Sequence, residues 1–297
     1  MNLQIGDTVG LTAPASAIAL EAVLPAVGLL KRWGLAVELG KTIDKRLNNF
    51  SGTDDFRLSD LQEMLDSPTI KAILFARGGY GCIRIVDRID FRGFLKNPKW
   101  LVGFSDITVL HNHINQNFSI PTIHAAMPIN FPADGSDDAS TLSLKAALMG
   151  QTLRYDLESS HVLNRFGMAT GGVVGGNLSL IYALMGSKSE LKTRGKILFI
   201  EDVGEQLYHL DRMMWQLRRA NKLRYLSGLV VGQFSDMNDT RIGFGQDAAE
   251  IIASAVKEYK FPVLFDFPAG HLGDNRALIF GVEAKLSVQK LNQSLVF

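Results

Sequence analysis

The sequence predicts an α/β protein of two domains: an N-terminal domain with a mostly parallel sheet and flanking helices, and a smaller C-terminal α/β domain. Short apolar runs alternate with helix-like segments, and the connections between them are short and rich in glycine. The alternation stops between residues 131 and 165, where Asp, Ser, Gly and Asn dominate. Such alternation is typical of parallel strands with helices on both faces, and these sheets bind ligands at the carboxyl ends of their strands.

The elements of the first half follow one another in a strand–helix rhythm. Strand-like runs are continuous and apolar, whereas helix-like runs show the 3.6-residue spacing of an amphipathic helix. In order, we predict a strand over 8–13, a helix over 18–33, a strand over 35–39, a helix over 58–65, a strand over 70–76, a helical pattern from Ile83, and a strand and helix on either side of Ser105.

The second half repeats the rhythm after a connecting region. We place an N-terminal domain over residues 1–150, a connection over 151–170 and a C-terminal domain over 171–297. In the latter we predict a strand over 196–200, a helix over 207–220, a strand over 229–234, a helix over 248–256 and a strand over 263–267.

Composition excludes several classes of function. The chain has 297 residues, 46% of them hydrophobic, with 31 Lys and Arg against 30 Asp and Glu. So balanced a charge offers no field for nucleic acid or an anionic membrane, and we expect neither as a partner. The single cysteine, Cys82, excludes an internal disulfide framework and suits a reducing compartment. The first residues lack the pattern of a secretory signal, so we expect a cytoplasmic protein.

Ser105 stands where an apolar run meets a turn and then a helix-like segment, in Trp100-Leu101-Val102-Gly103-Phe104-Ser105-Asp106-Ile107-Thr108. This is the setting of a nucleophile elbow, in which a tight turn holds a serine above the sheet and the next helix supplies free N–H groups. Ile107 replaces the second glycine of the usual Gly-x-Ser-x-Gly pattern. Ser105 or Asp106 as a simple helix cap is therefore the alternative.

A serine nucleophile needs a histidine base and a carboxylate to orient it. Of the six histidines, His271 is the best placed, because it follows a predicted strand in a glycine-bracketed loop. His111 and His113 are two residues apart and so lie on different faces of a helix, and we expect no metal site there. Glu201 and Asp202 follow an apolar strand and either cap a loop or face the site.

Two glycine-rich segments allow close approach of backbone to a ligand. Gly78-Gly79-Tyr80-Gly81 is able to hold a phosphate or to complete an oxyanion hole, and the segment 171–177 is either a similar loop or a crossover between domains. Neither matches Gly-x-Gly-x-x-Gly or a P-loop, so we expect no nucleotide cofactor.

Together these segments resemble the L,D-carboxypeptidase family of serine peptidases, which includes murein tetrapeptide carboxypeptidases and microcin C self-immunity hydrolases. The resemblance runs along almost the whole chain. It rests on these motifs, in order: Ala13-Pro14-Ala15-Ser16, Ala76-Arg77-Gly78-Gly79-Tyr80-Gly81, Gly103-Phe104-Ser105-Asp106-Ile107-Thr108, residues 172–178, Ile200-Glu201-Asp202-Val203-Gly204-Glu205, and Gly270-His271.

The resemblance implies a catalytic triad in an interdomain cleft: Ser105 as nucleophile, His271 as general base and acid, and Glu201 as its orienting carboxylate. It also implies an oxyanion hole from the backbone N–H of Asp106 and a glycine N–H, for which we favour Gly79 over Gly78. It further implies a homodimer, with no metal and no cofactor.

We expect three residues of the glycine turn to contact the substrate. Arg77 is the basic residue that we would test first as the partner of a substrate carboxylate, and Gly78 and Tyr80 stand beside it. One departure is the segment from His124 to Pro128, His-Ala-Ala-Met-Pro, where relatives have a His-Gly-Pro-like turn. We expect this change to affect substrate fit rather than the reaction.

Three functions are compatible with these residues. The first is a carboxypeptidase that releases terminal D-alanine from the murein tetrapeptide in peptidoglycan recycling, and the second is an immunity hydrolase that cleaves a peptide-nucleotide antibiotic. The second function needs an aromatic platform for a base, and we expect Trp215 to be unsuitable because it falls within an apolar helical face. The third is a non-catalytic, two-lobed peptide-binding protein.

Overall fold

The computed structural model describes residues 1–158 and 160–297, so Ser159 of the predicted connection lies outside the described residues. The first half contains β1 (Thr8–Thr12), α1 (Leu20–Arg32), β2 (Ala36–Leu39), α2 (Asp54–Asp66), β3 (Ile70–Phe75), α3 (Arg92–Lys96), β4 (Trp100–Gly103), α4 (Thr108–Phe118), β5 (Thr122–His124) and α5 (Ala139–Leu148). The second half contains β6 (Arg154–Leu157), β7 (Gly167–Asn177), α6 (Leu178–Ala183), β8 (Ile197–Val203), α7 (Leu207–Arg219), β9 (Gly228–Ser235), α8 (Ala248–Ala255), β10 (Val263–Leu264), β11 (Leu278–Phe280), β12 (Glu283–Val288) and β13 (Gln293–Val296).

The first sheet has the strand order β11-β5-β4-β3-β1-β2 and is parallel apart from the antiparallel edge strand β11. The order reverses beside β1, with β2 on one side and β3 on the other. Ligands of doubly wound sheets bind at such a switch point, outside the carboxyl ends of the strands. The loops after β1, β3 and β4 therefore share one edge of the sheet, and they carry Ser16, the glycine turn and Ser105.

The second sheet has the order β10-β9-β8-β7-β12-β13-β6 and combines a parallel half, β7 to β10, with an antiparallel half. The glycine-rich segment 171–177, expected to be a loop or a crossover, is the second part of strand β7. Gly175 explains the choice of residue, because its φ is +141° and a Cβ there would overlap the backbone carbonyl of Phe199 on β8. Glycine thus lets two strands approach closely in the middle of a sheet.

The chain links the two sheets tightly. β6 joins the second sheet before β7 begins, and β11 returns from the C-terminal half to pair with β5 of the first sheet. One hydrophobic core runs through both sheets, from Val9 and Leu11 to Phe199 and Phe280. The α/β class and the parallel-rich first sheet are as predicted, and the shared core fixes the two halves of the cleft relative to each other.

Two local expectations are wrong. The helical pattern from Ile83 forms two short 3-10 turns, Cys82–Arg84 and Val86–Arg88, before the five-residue α3. The polar stretch after residue 131 contains α5, whose N-terminus is capped by Asp138, with its side chain accepting the N–H of Thr141. Across the described residues, no helix has both the length and the apolar character needed to cross a membrane.

Candidate active site

Ser105 lies at a strained turn directly after the buried strand β4. Its φ is +61°, a region that non-glycine residues rarely adopt and that costs about 1–3 kcal/mol. The chain then enters a 3-10 turn, Ser105–Ile107, that continues into α4. The helix-cap alternative is wrong, since neither Ser105 nor Asp106 caps this turn or α4 with its side chain. The backbone strain instead presents a half-buried hydroxyl at the sheet edge.

The glycine turn after β3 faces this elbow. A Cβ on Gly78 would lie 3.0 Å from Ser105 Cβ, 3.2 Å from its Oγ and 3.4 Å from the Asp106 nitrogen. Gly79 has φ +99° and packs against Ser16 on the other side of the turn. Ser16 also holds the turn by hydrogen bonds, with its N–H donating to Gly78 O (3.2 Å) and its Oγ accepting from Tyr80 N–H (3.4 Å). A Cβ on Gly79 would overlap Ser16, and a Cβ on Gly78 would force the turn or Ser105 to shift.

Two buried side chains, Asp106 and Arg57, form hydrogen bonds with the backbone at the end of the glycine turn. The Asp106 carboxylate accepts the N–H of Cys82 at 2.8 Å, and burial raises the pKa of Asp106. The fully buried Arg57 donates to the carbonyls of Gly81 (3.2 Å) and Pro14. Arg57 thereby links the loops after β1 and β3. Sequence reasoning missed this residue, because one arginine just before a predicted helix carries no signal of burial.

Glu201 and His271 form a pair at the same edge of the cleft. Glu201 lies within the carboxyl end of β8 and is completely buried, and its Oε2 is 2.7 Å from His271 Nδ1. Burial lowers the pKa of His271, but the hydrogen bond and charge of Glu201, with the charge of Asp202, outweigh it and hold that pKa above its ordinary value. The imidazole is thus oriented through Nδ1, which leaves Nε2 available.

His271 lies next to the elbow although it comes from the C-terminal half. Its ring contacts that of Phe104, the residue before Ser105, with centroids 4.8 Å apart and an interplanar angle of 62°. No hydrogen bond joins the Ser105 hydroxyl to His271 within the described part of the chain. Catalytic hydrogen bonds are often long in unliganded enzymes and tighten when substrate binds.

The structure separates the roles of the two adjacent carboxylates. Asp202 accepts from Asn177 Nδ2 (2.9 Å) and from the N–H of Ser179 (2.8 Å), whereas Glu201 bonds to His271. Burial and the neighbouring charge of Glu201 raise the pKa of Asp202 to about 7. Asp202 therefore bonds to the N-cap residue Asn177 and to the first turn of α6, whereas Glu201 orients His271.

The remaining histidines have other surroundings. His111 Nε2 lies 2.8 Å from Gly103 O, His113 Nδ1 lies 2.9 Å from Ser189 Oγ, and His124 is buried against Phe104 and other rings. His161 stacks on Phe265, and His209 bonds to Glu205. Among residues 1–158 and 160–297, no three His, Cys, Asp or Glu side chains form a group able to hold a metal ion.

Of the predicted substrate-binding residues, Gly78 faces Ser105, whereas Arg77 contacts the loop after β1 and Tyr80 lies near Phe50. Arg77 is half-buried, donates from Nη1 to Ala17 O (3.0 Å), and lines a cavity of about 460 Å³ together with Lys45 and Arg46. Tyr80 is 48% exposed, with its ring 6.0 Å from that of Phe50. The surface beside the glycine turn therefore carries three cationic side chains and one carboxylate, Asp44, in the same cavity, together with the aromatic ring of Tyr80.

The expectation for Trp215 is wrong. The buried positions of α7 are Leu210, Met213, Met214 and Leu217, and Trp215 falls beside this stripe rather than in it. The indole is 48% exposed, with the Arg218 guanidinium 4.9 Å from its ring centroid.

An elbow serine opposite a glycine turn, with a carboxylate–histidine pair from a second sheet, is the arrangement used by α/β enzymes of acyl transfer. Both halves of the chain match models of known protein families. Residues 9–125 match the LD-carboxypeptidase N-terminal domain and residues 170–286 match the LD-carboxypeptidase C-terminal domain. The chain belongs to the LD-carboxypeptidase family of peptidases, and the resemblance seen in its motifs is confirmed.

Named relatives cover nearly the full chain. A probable murein peptide carboxypeptidase of Bacillus subtilis is 36% identical over 289 residues, covering 96% of this chain and 90% of the relative. A murein tetrapeptide carboxypeptidase of Pseudomonas aeruginosa is 31% identical, covering 97% and 95%.

Solved structures share the fold. Muramoyltetrapeptide carboxypeptidase from Oxalobacter formigenes superposes with a TM-score of 0.88 at 25% identity, covering 97% of this chain and 98% of that one. MccF in complex with glutamyl sulfamoyl guanosine gives a TM-score of 0.87 at 22% identity, covering 100% and 97%. The second likeness is one of fold alone.

Proposed function

We propose that this protein is a serine L,D-carboxypeptidase that releases the terminal D-alanine of the murein tetrapeptide, L-Ala-γ-D-Glu-meso-diaminopimelate-D-Ala. One observation carries the proposal: the strained Ser105 faces the glycine turn, and Phe104, the residue before it, contacts the ring of His271, which is bonded to Glu201. The names of the relatives support the substrate class. We further propose that the protein works as a cytoplasmic homodimer in the recycling of cell-wall peptides.

In the proposed acylation step, Ser105 Oγ attacks the carbonyl carbon of the amide between diaminopimelate and D-alanine. His271 Nε2 takes the hydroxyl proton and passes it to the amide nitrogen as the C–N bond breaks, so D-alanine leaves with a neutral amine. Water then attacks the Ser105 ester, gives a proton to His271, and the serine recovers that proton as the tripeptide leaves. Glu201 stabilises the imidazolium at both stages, since it already accepts from Nδ1.

The direction of the glycine peptide supports Gly79 as one donor of the oxyanion hole. Gly78 O accepts from Ser16 N–H, so this carbonyl points toward Ser16. In a trans peptide the next N–H points the opposite way, and the Gly79 N–H therefore points away from Ser16. The Asp106 N–H, 3.4 Å from a Cβ built on Gly78, is the second proposed donor. Such donors contribute about 2.7–4 kcal/mol each to transition-state stabilisation.

The cationic cavity beside the turn supports a carboxylate-bearing substrate. Arg77 gives one N–H to Ala17 O, and its guanidinium has further donors for a carboxylate. Lys45, Arg46 and one carboxylate, Asp44, line the same cavity of about 460 Å³, so its cationic side chains outnumber the anionic one by three to one. The tetrapeptide carries carboxylates on its D-Glu, diaminopimelate and D-Ala residues, which match this charge. We propose that Arg77 binds one of them, with Gly78 and Tyr80 beside it.

The competing functions have less support. The hypothesis of an immunity hydrolase is based on a likeness of fold to MccF at 22% sequence identity. A non-catalytic binding protein has no chemical need for a Glu201–His271 pair beside an elbow serine. Both are nevertheless tested by the same assay when a peptide-nucleotide compound is included.

The test is release of D-alanine from the tetrapeptide, followed by mass spectrometry, for the parent protein and for Ser105→Ala. Glutamyl sulfamoyl guanosine serves as the second substrate, and circular dichroism verifies the fold of both proteins. We expect the parent to release D-alanine and Ser105→Ala to be slower by about 10⁴-fold or more. A folded parent that cleaves only the nucleotide compound would establish the immunity reading, cleavage of neither would favour a binding protein, and release by both proteins would remove Ser105 as nucleophile.

A further inference from the structure

The loop that carries His271, residues 269–274, has no helix or strand of its own. Its shape therefore depends on hydrogen bonds from its surroundings. The hydrogen bond of Glu201 is to the imidazole, and other groups hold the backbone that aims the ring.

Gln233, near the carboxyl end of β9, supplies three of these bonds. Its backbone N–H donates to Ala269 O at 2.9 Å, its side-chain Oε1 accepts the N–H of Leu272 at 2.9 Å, and its Nε2 donates to Asp274 O at 3.0 Å. The bonded residues Ala269, Leu272 and Asp274 lie on both sides of His271 in the sequence, and Leu272 follows it directly.

Gly270 brings the loop against Gln233. Its φ is +140°, and a Cβ there would lie 3.1 Å from Gln233 Cβ and 3.3 Å from its carbonyl oxygen. A side chain at position 270 would push the loop off the strand. On the other side, the buried Asn275 accepts the N–H of Gly270 through Oδ1 at 3.0 Å. The backbone on the N-terminal side of His271 is thus confined between a strand and a buried amide.

We propose that Gln233 is a positioning residue for His271: it fixes the backbone on both sides of the histidine so that Nδ1 meets Glu201 while Nε2 faces Ser105. This inference rests on the proposed function. The chemistry requires an amide, because Oε1 must accept from Leu272 while Nε2 donates to Asp274 O. A glutamate of the same length keeps the acceptor, but it loses the donor and turns a carboxylate toward a carbonyl oxygen.

Ser140 of α5 holds the far end of the same segment. Its Oγ accepts the N–H of Asn275 at 2.8 Å and donates to Gly273 O at 3.2 Å. Neither bond involves a neighbour of His271 in the chain. Loss of Ser140 Oγ should therefore disturb the histidine less than loss of the Gln233 amide.

The test compares Gln233→Leu and Gln233→Glu with a matched control, Gln62→Leu. Gln62 on α2 also binds a loop through both atoms of its amide, donating to Asp90 O (2.8 Å) and accepting Asp90 N–H (2.9 Å), but that loop carries no triad residue. A misplacement of about 1 Å costs roughly 10²-fold in rate. We expect Gln233→Leu to lower kcat for D-alanine release about 10- to 100-fold with KM within about twofold of the parent, Gln233→Glu to fall between, and Gln62→Leu to stay near the parent value.

A second readout does not depend on the substrate. The proton on His271 Nδ1, assigned by its absence in His271→Gln, should give a downfield NMR signal that shifts or broadens in Gln233→Leu and is unchanged in Gln62→Leu. If the parent does not cleave the tetrapeptide, the proposed function fails and this signal alone decides the role of Gln233. A folded Gln233→Leu with the kcat and the His271 signal of the parent would overturn the proposal. If Gln233→Leu does not fold, the same two measurements on Gln233→Glu decide it.

Discussion

The two halves of the site are built in different ways. In the nucleophile half, hydrogen bonds of Ser16, Arg57 and the Asp106 carboxylate hold the glycine turn, and Ser105 approaches Gly78 closely from a strained backbone. The base half joins Glu201 and His271, seventy residues apart in the chain, by a side-chain hydrogen bond and by charge. The difference teaches that the close approach of the serine to the turn depends on glycine at position 78, whereas the orientation and pKa of the histidine depend on a charged partner.

We expect the largest effect on activity from a substitution in the base half that removes a charge but keeps the shape of the side chain. In Glu201→Gln, the negative charge that raises the pKa of His271 is lost and the remaining hydrogen bond is no longer charge-assisted, so burial, which lowers that pKa, gains weight. Because the base must be neutral, kcat/KM of the parent should fall with decreasing pH through a pKa above the usual value of about 6.5. In the variant this acidic limb should move to lower pH, and kcat should drop about 10³- to 10⁴-fold.

The measurement is the pH dependence of kcat/KM for D-alanine release by both proteins. An acidic limb at the same pH in Glu201→Gln would mean that the carboxylate does not tune the base.

A single methyl group should damage the nucleophile half without altering its pH dependence. The Cβ of Gly78→Ala would lie 3.0 Å from Ser105 Cβ and 3.2 Å from its Oγ, so the turn or the serine must shift. We expect kcat/KM to fall about 10²-fold or more, with the acidic limb unchanged. Gly243→Ala is the control, because the nearest atom to its Cβ, Asp239 Oδ2, is 3.5 Å away. Equal activity of the two alanine variants would contradict the close packing at the elbow.

We expect a smaller effect, confined to substrate binding, from a substitution of Arg77 in the cavity beside the glycine turn. Arg77→Met keeps much of the side-chain length but removes the donors that we propose for a substrate carboxylate. KM should rise about tenfold while kcat changes little, since this contact is made equally in the ground state and the transition state. Steady-state kinetics with the tetrapeptide measure both constants. A fall in kcat at constant KM would assign Arg77 to the shape of the glycine turn instead.

We expect the smallest effect from a substitution where the helix after the elbow meets strand β7, and it should appear as a lower free energy of unfolding. Thr108, at the start of α4, accepts the N–H of Asn177 with its buried Oγ1 at 3.0 Å and so joins the elbow helix to the end of β7. Thr108→Val keeps the shape but leaves that N–H without a partner. We expect about 1–3 kcal/mol less free energy of unfolding in urea. Activity within about twofold of the parent would show that this hydrogen bond serves stability alone. An unchanged free energy of unfolding would show that the hydrogen bond does not stabilise the protein.

Sequence alone predicted the parts of the molecule that local patterns encode. The alternation of β1 to β4 with their helices follows from hydrophobic period, and the elbow follows from an apolar run that ends in a turn. The pairing of Glu201 with His271 was suggested by the family resemblance, because no local pattern states which carboxylate meets which imidazole.

The parts that were missed depend on tertiary contacts. The glycines of β7 signal a loop by propensity, yet they pair as a strand between β8 and β12, and at Gly175 the carbonyl of Phe199 leaves no room for a side chain. Arg57, Gln233 and Ser140 are ordinary polar residues of a helix, a strand and a helix, and only the folded chain shows which carbonyls and N–H groups they bind. Sequence reasoning has no signal for such groups.

The most direct test of the central claim, that both halves form one catalytic unit, is a cycle of Ser105→Ala, His271→Ala and the double variant. D-alanine release is measured over incubations long enough to quantify a loss of about 10⁵-fold. If the two residues act as a unit, the double variant is no slower than the slower single variant, because removing either one already abolishes the shared step. Losses that multiply in the double variant would show that Ser105 and His271 act independently and would contradict the account.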